Sequence, residues 1–213
     1  METRTAIYER HSTRWFTNEV IPIEQVIDIV SDASQTPSWR NSQPWTTFIA
    51  HGETLQNIKR EHVALVSAGH QGKSDMEWAH SYTWGQQSKT NMSHWDNQVL
   101  SVIGEKISLF GTAQANLFNA QAIIYLSLFE KTSPWSVLDL GAFTQTLMLS
   151  ATDRGIQSIN AYEFVKYPSN LRKHMPIPND QLIIAGIALG FEDKQAKINE
   201  IRTDRNVRSQ IIY

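Results

Sequence analysis

The chain has 213 residues, close to one domain at roughly 150 residues each, and its 19 Lys and Arg against 21 Asp and Glu leave a formal charge of -2. That balance argues against a nucleic-acid binder, which carries a basic excess. The absence of cysteine excludes disulfides, thiol catalysis and cysteine-ligated metal together. The N-terminus opens into charged residues without the apolar core of a signal peptide. The most apolar stretch, 117–129, is broken by Asn119, Gln121 and Ser127 and is too short to span a bilayer. A cytoplasmic, globular, single-domain chain over 1–213 is expected, with no membrane or nucleic-acid partner and no metal.

In chain order, residues 1–13 read as a short helix with Ile7 as its main apolar residue. Pro22 suits a first helical turn, Ile23, Val26, Ile27 and Val30 follow at helical spacing, and Pro37 stops that helix. Residues 45–51 are aromatic and β-branched and predict a strand ending at Gly52. A helix begins at Glu53, with Leu55, Ile58, Leu65 and Val66 on one face and Gly69 as its stop. Residues 69–96 are polar and irregular, which within a compact domain marks a binding lid, extending to about 110.

Val99, Leu100, Ile103 and Ile107 suggest another helix, and 122–129 a buried strand. Leu140, Phe143, Thr144, Leu147, Met148 and Ala151 form the clearest helical stripe, capped by Gly155. A short strand near 156–160, a turn of helix after Pro168 and a central strand over 182–189 complete the pattern. Gly186 would allow close packing in that strand. The tail over 194–213 has no helical period. Helices and strands without a regular βαβ rhythm indicate α+β.

The usual catalytic motifs are missing. Gly72-Lys73-Ser74 lacks the first glycine and the preceding strand of a phosphate-binding loop. No His-Glu-x-x-His, Gly-x-Ser-x-Gly or strand-following Gly-x-Gly-x-x-Gly occurs.

Three segments remain. Arg10-His11-Ser12-Thr13-Arg14 puts two guanidiniums and a hydroxyl within reach of a phosphate, or forms a solvated helix end. Pro37-Ser38-Trp39-Arg40-Asn41-Ser42-Gln43-Pro44-Trp45 could hydrogen-bond a heterocycle's edge, or be an ordinary polar turn. Ile201-Arg202-Thr203-Asp204-Arg205 lies on a basic tail whose default reading is a surface charge cluster.

In this order and spacing the three segments resemble the nitroreductase family of FMN-dependent oxidoreductases. The first is similar to its Arg-Arg-Ser-x-Arg motif. The second is similar to its Pro-Ser-x-x-Asn-x-Gln-Pro-Trp motif, at Pro37, Ser38, Asn41, Gln43, Pro44 and Trp45. The run from Gly186 to Asp193, with Asn199 and Arg202 to Arg205, resembles the nitrobenzoate-reductase-like branch.

That resemblance implies an α+β fold with a central mixed, mainly antiparallel sheet flanked by helices. It also implies a homodimer whose C-terminal arm, about 194–213, crosses to the partner. Arg10, His11, Ser12 and Arg14, with Arg202 and Arg205, would hold the phosphate and ribityl chain of FMN. Pro37, Ser38, Trp39, Asn41 and Gln43 would reach across from the other subunit, and Asn160, Ala161 and Tyr162 would pass beside the isoalloxazine. NAD(P)H would be the donor and a small nitroaromatic or quinone the acceptor, served in turn at one site. The flavin would carry the chemistry, so no catalytic side chain is expected. His11 stands where the motif has a second arginine, Trp39 where a small residue is usual, and Ala161 where the branch often has glutamine.

Trp78, Tyr82 and Trp84 of the lid could cover a planar acceptor or pack the lid onto the body. The alternative function is a flavin-binding storage or regulatory protein of the same fold without nicotinamide-driven turnover.

Overall fold

In this computed structural model, which describes residues 1–77, 79–104 and 106–206, four strands build the centre. β1 (Trp45–His51), β2 (Ala122–Phe129), β3 (Gln157–Asn160) and β4 (Gln181–Gly190) pair in the order β1-β2-β4-β3, every neighbour antiparallel. The expected mixed character is limited to one isolated parallel bridge between Ser12 and Ser158.

The helices are α1 (Thr3–Glu9), α2 (Ile23–Ala33), α3 (Gly52–Ser67), α4 (Gln86–Ile103), α5 (Ser108–Ala115), α6 (Pro134–Asp153) and α7 (Pro168–His174). They cover both faces of the sheet, so the inner strands β2 and β4 are near-continuous apolar runs. Along β2, Ile123 and Tyr125 join a core with Leu55 and Ile58 of α3, Val99 and Ile103 of α4 and Leu171 of α7. Ile124, Leu126 and Leu128 point the other way, into a core with Val26 and Ile29 of α2 and Leu140, Phe143 and Leu147 of α6.

Two local features of β4 shape the space between the sheet and α6. The β2–β4 register shifts between Leu126 and Ser127, which pair with Ala185 and Ile183, leaving Ile184 as an extra residue. This bulge turns Ile184 and Ala185 together toward α6, since a bulge re-aims side chains that would otherwise alternate. One residue on, Gly186 meets the turn over Tyr162–Val165: a Cβ there would sit 2.5 Å from the Cβ of Phe164.

Several expectations need correcting. Residues 86–96, expected as irregular lid, are the first turns of α4, and α5 has no counterpart among the predicted elements. The early turns of α4 are polar and exposed, with only Val99 and Ile103 buried, so no apolar period marks them. Ile7 is 52% exposed and Ala6 is the buried residue of α1; Ile27, Leu100 and Ile107 are also exposed. In the tail, a 3-10 turn spans Lys197–Glu200. Residues 207–213 of the expected arm lie outside the described residues.

Gly186→Ala is therefore expected to destabilise the fold by about 1–3 kcal/mol, because neither Phe164 nor the strand can yield freely. The urea midpoint should fall with an unchanged slope.

Candidate active site

The N-terminal segment after α1 lies along the sheet's end, beside β3. The Thr13 N–H donates to the Ser158 carbonyl at 3.1 Å, and Phe16 bridges to Glu192. One side chain fastens this segment to the C-terminal run. Asn199, 3% exposed, accepts the N–H groups of Arg14 and Trp15 at 2.7 and 3.0 Å. Its amide donates to the carbonyls of Trp15 and Asp193 at 2.7 and 2.9 Å. All four hydrogen-bonding positions of the carboxamide are filled.

This staple brings the first and third sequence segments together. Arg14 is 6% exposed, and its Nη1 donates to the carbonyls of Ser12 and Ile201 at 3.1 and 3.3 Å. Burial first, then the Arg202 charge, pulls its pKa down to about 10. Burial and then the neighbouring Arg205 lower Arg10 as well. Among the described residues no carboxylate pairs with Arg10, Arg14 or Arg205; Arg205 instead donates to the Thr203 hydroxyl and to main-chain carbonyls. His11 and Arg202 differ: both reach Glu192 Oε1 at 3.3 Å.

The second segment forms a shaped but uncovered loop. Arg40, Asn41 and Gln43 all have positive φ, at 49°, 57° and 43°. Such non-glycine conformations cost about 1–3 kcal/mol each and need support from their surroundings. Ser38 Oγ accepts the Gln43 N–H at 2.9 Å, Gln43 donates to the Asn41 carboxamide at 3.2 Å, and the Trp39 N–H donates to Asp139 at 3.0 Å. Trp39 stays 64% exposed, stacked on the equally open Trp135 with centroids 6.1 Å apart. Within one chain this loop does not meet the arginines.

Asn160, Ala161 and Tyr162 line a cleft of about 580 Å³. Val137, Gly141 and Gln145 of α6 form one wall, and the bulged Ile184 and Ala185 another. Met76, Glu77 and Ala79 close over it. Ser158, on the strand pairing with Ser12, is two residues from Asn160, roughly 7 Å along the strand. The cleft and the arginine cluster thus share β3.

Two ionic groups, one buried and one half-buried, hold this arrangement. Glu163, next to Tyr162, takes His62 at 3.1 Å and Lys166 at 2.9 Å. Burial would raise its pKa, but the hydrogen bonds from His62 and Lys166 more than reverse that and hold it below the usual carboxylate value. Asp75 pins the approach to the lid, accepting from Arg172 Nη2 at 2.7 Å and from the Ile183 N–H at 2.9 Å.

The lid aromatics fall elsewhere. Tyr82 is 78% exposed and lies flat on His80, and Trp84 is 41% exposed; neither lines the cleft. Trp78 lies outside the described residues. Sequence reasoning missed Met76, Glu77, Glu192, Glu163 and the bulge at Ile184. Their placement follows from long-range packing, and only Glu192 lies within a stretch that resembles a family motif.

A model of the nitroreductase family matches residues 7–191. The chain belongs to the nitroreductase family. It is 25% identical over 210 residues to a chloronitrobenzene nitroreductase of Comamonas testosteroni, covering 93% of this chain and 90% of that one. It is also 25% identical to a 4-nitrobenzoate reductase of Pseudomonas putida, covering 94% and 90%. The fold is similar to that of the FMN-dependent nitroreductase NfnB from Mycobacterium smegmatis in complex with NADPH. The TM-score is 0.90 at 20% identity, with 99% and 96% of the two chains covered. No helix among the described residues of this nitroreductase family member is long and apolar enough to cross a membrane.

Asn199→Ala should cost roughly 3 kcal/mol, since it orphans two buried N–H donors and two carbonyls at once. Urea unfolding reads this directly. Glu163→Gln should cost about 2 kcal/mol at pH 7, Lys166 being partly exposed. Because the folded pKa lies below the ordinary 4.5, the wild-type advantage is complete above that value. It closes as pH falls through the folded pKa, so the two melting temperatures should converge in acid.

Proposed function

We propose that this chain is an FMN-dependent oxidoreductase that takes hydride from NAD(P)H and reduces a nitroaromatic, quinone or similar small acceptor by alternation at one site. The observation that carries the reading is the group of half-buried Arg10, buried Arg14 and exposed Arg205, none with a carboxylate partner among the described residues, around Ser12, which bridges β3 two residues from the cleft. Like charges are brought together in low dielectric where an anion completes them, and guanidinium suits phosphate. The residues therefore fit a flavin mononucleotide, phosphate at the arginines and ring toward the cleft.

When bound, the flavin supplies the two-electron chemistry. Arg10 and Arg205 would hold the phosphate with the Ser12 hydroxyl, and Arg14 would add its charge. His11 and Arg202 would act through Glu192, which both reach. Main-chain groups of Asn160, Ala161 and Tyr162 would hydrogen-bond the ring's edge. The apolar wall of Val137, Leu140, Met148 and Ile184 excludes water and receives a planar acceptor. Met76, Glu77 and Ala79 replace Tyr82 and Trp84 as the residues that meet it.

The protein works as a homodimer of single flavin-binding domains. Pro37, Ser38, Trp39, Asn41 and Gln43 complete the site of the other chain, which accounts for the strain at Asn41 and Gln43 and the exposure of Trp39 within one chain. The open Trp39, Trp135 and Leu138 belong to that interface.

Charge-assisted contacts to phosphate are worth about 1.5–3 kcal/mol each, so Arg10→Ala or Arg205→Ala should weaken FMN by about tenfold or more and riboflavin far less. Equal losses for both ligands would refute the phosphate role. Mixed anaerobically with NADPH or NADH, the yellow protein should bleach within seconds and recover on adding a nitroaromatic. Colour that persists with either donor but yields to dithionite would favour the storage reading.

A further inference from the structure

A half-buried cation lies outside the cleft. Lys59 of α3 faces a groove of about 860 Å³ that shares no lining residue with the cleft. Its other walls are the segment from Trp15 to Asn18 and the turn around Asn119. Among the described residues Lys59 has no carboxylate partner; its ammonium reaches only the Asn119 side-chain oxygen, at 3.5 Å. Burial alone lowers its pKa to about 8. A lysine this far desolvated, in an open groove, is held at a cost that a bound anion would offset.

The groove is also preformed. Asn119 adopts φ +56°, the last of three successive residues with positive φ, and its amide is tied to the Phe16 carbonyl at 2.8 Å and to Asn18 at 3.0 Å. That tie turns the amide nitrogen away and leaves only an oxygen toward the lysine. The main chain of Trp15 and Asp193 is fixed by Asn199. A rigid wall of this kind spares a ligand the ordering of loops.

The charges facing the space are Lys59, Arg60 and Asp193. Arg60 donates to the neutral Asn57 side chain, and Asp193 accepts the Gln195 N–H at 2.9 Å. One net positive charge remains, which suits a monoanion better than a dianionic phosphate. Trp15 and Val63 offer apolar surface beside it.

We propose that this groove is a second ligand site, taking a small organic carboxylate whose charge is met by Lys59 and whose apolar body lies between Trp15 and Val63. It is separate from the cleft and does not depend on the flavin reading.

The full chain as purified, with and without added FMN, is titrated with benzoate by calorimetry, with inorganic phosphate as the competing anion. Saturable binding is expected at pH 6.5, weakening at least tenfold by pH 9.5 as Lys59 loses its proton. Lys59→Met should abolish the binding, and Lys59→Arg should retain it and remove the pH dependence. Phosphate should compete poorly. Absence of saturable binding, or binding unchanged in Lys59→Met, overturns the proposal. Binding that survives Lys59→Met but is lost in Arg10→Ala would assign the anion to the arginine cluster and overturn it equally.

Discussion

The Asn199 carboxamide is the constraint on which the site depends. The two ends of the chain are nearly two hundred residues apart in sequence, and each carries cations that would separate in water. Four saturated hydrogen bonds from one buried side chain oppose that repulsion. Because they engage main chain on both sides, they fix the path of the backbone and not merely a rotamer. Arg14 is thereby buried at a set depth, with Ile201 and Ser12 carbonyls on its guanidinium. Sheet, helices and cleft could form without this contact, but the arginines would not face one another.

Three costs accumulate around the site, and they share a logic. Like charges are held close, positive φ is imposed on Arg40, Asn41 and Gln43, and a carboxylate is buried at Glu163. The last is met by opposite charges within the chain, from His62 and Lys166. The first two lie at exposed or half-exposed surface, where relaxation would be easy if nothing were gained by resisting it. The supporting bonds, from Ser38 to Gln43 and from Trp39 to Asp139, show that the loop is specified and not merely left open.

How much of this is legible in the sequence depends on the range of the interaction. β1 and β2 appear there at their observed bounds, because β-branched runs ending at Gly52 and at Thr132-Ser133-Pro134 carry their own punctuation. α6 announces itself through Leu140, Phe143, Leu147 and Ala151. The first turns of α4 do not, since its polar residues pack against nothing that imposes a period. The bulge at Ile184 is invisible for a related reason: every residue around it is apolar, so a register shift leaves no mark. Arg10, Ser12, Arg14 and Arg205 are readable as a group only through a family pattern, whereas the hold of Asn199 on the Arg14 main chain and of Glu192 on His11 and Arg202 requires the fold. Size and hydrophobicity single out Tyr82 in the sequence, yet its ring lies on His80 at the surface and away from the lining of the cleft.

The same physics governs affinity. An anion placed between Arg10 and Arg205 would gain its own attraction to each guanidinium, and it would also relieve the Arg205 repulsion that, after burial, lowers Arg10. The repulsion is a property of the folded chain alone, since unfolding separates the two ends. Ligand binding and folding are therefore linked through one electrostatic quantity, and an anion bound there stabilises the closed ends of the chain as it is held by them. Asn199 sets how large that quantity is. By keeping the cations near one another in the free protein, it lets a phosphate find the field already assembled, without first having to draw the two termini together.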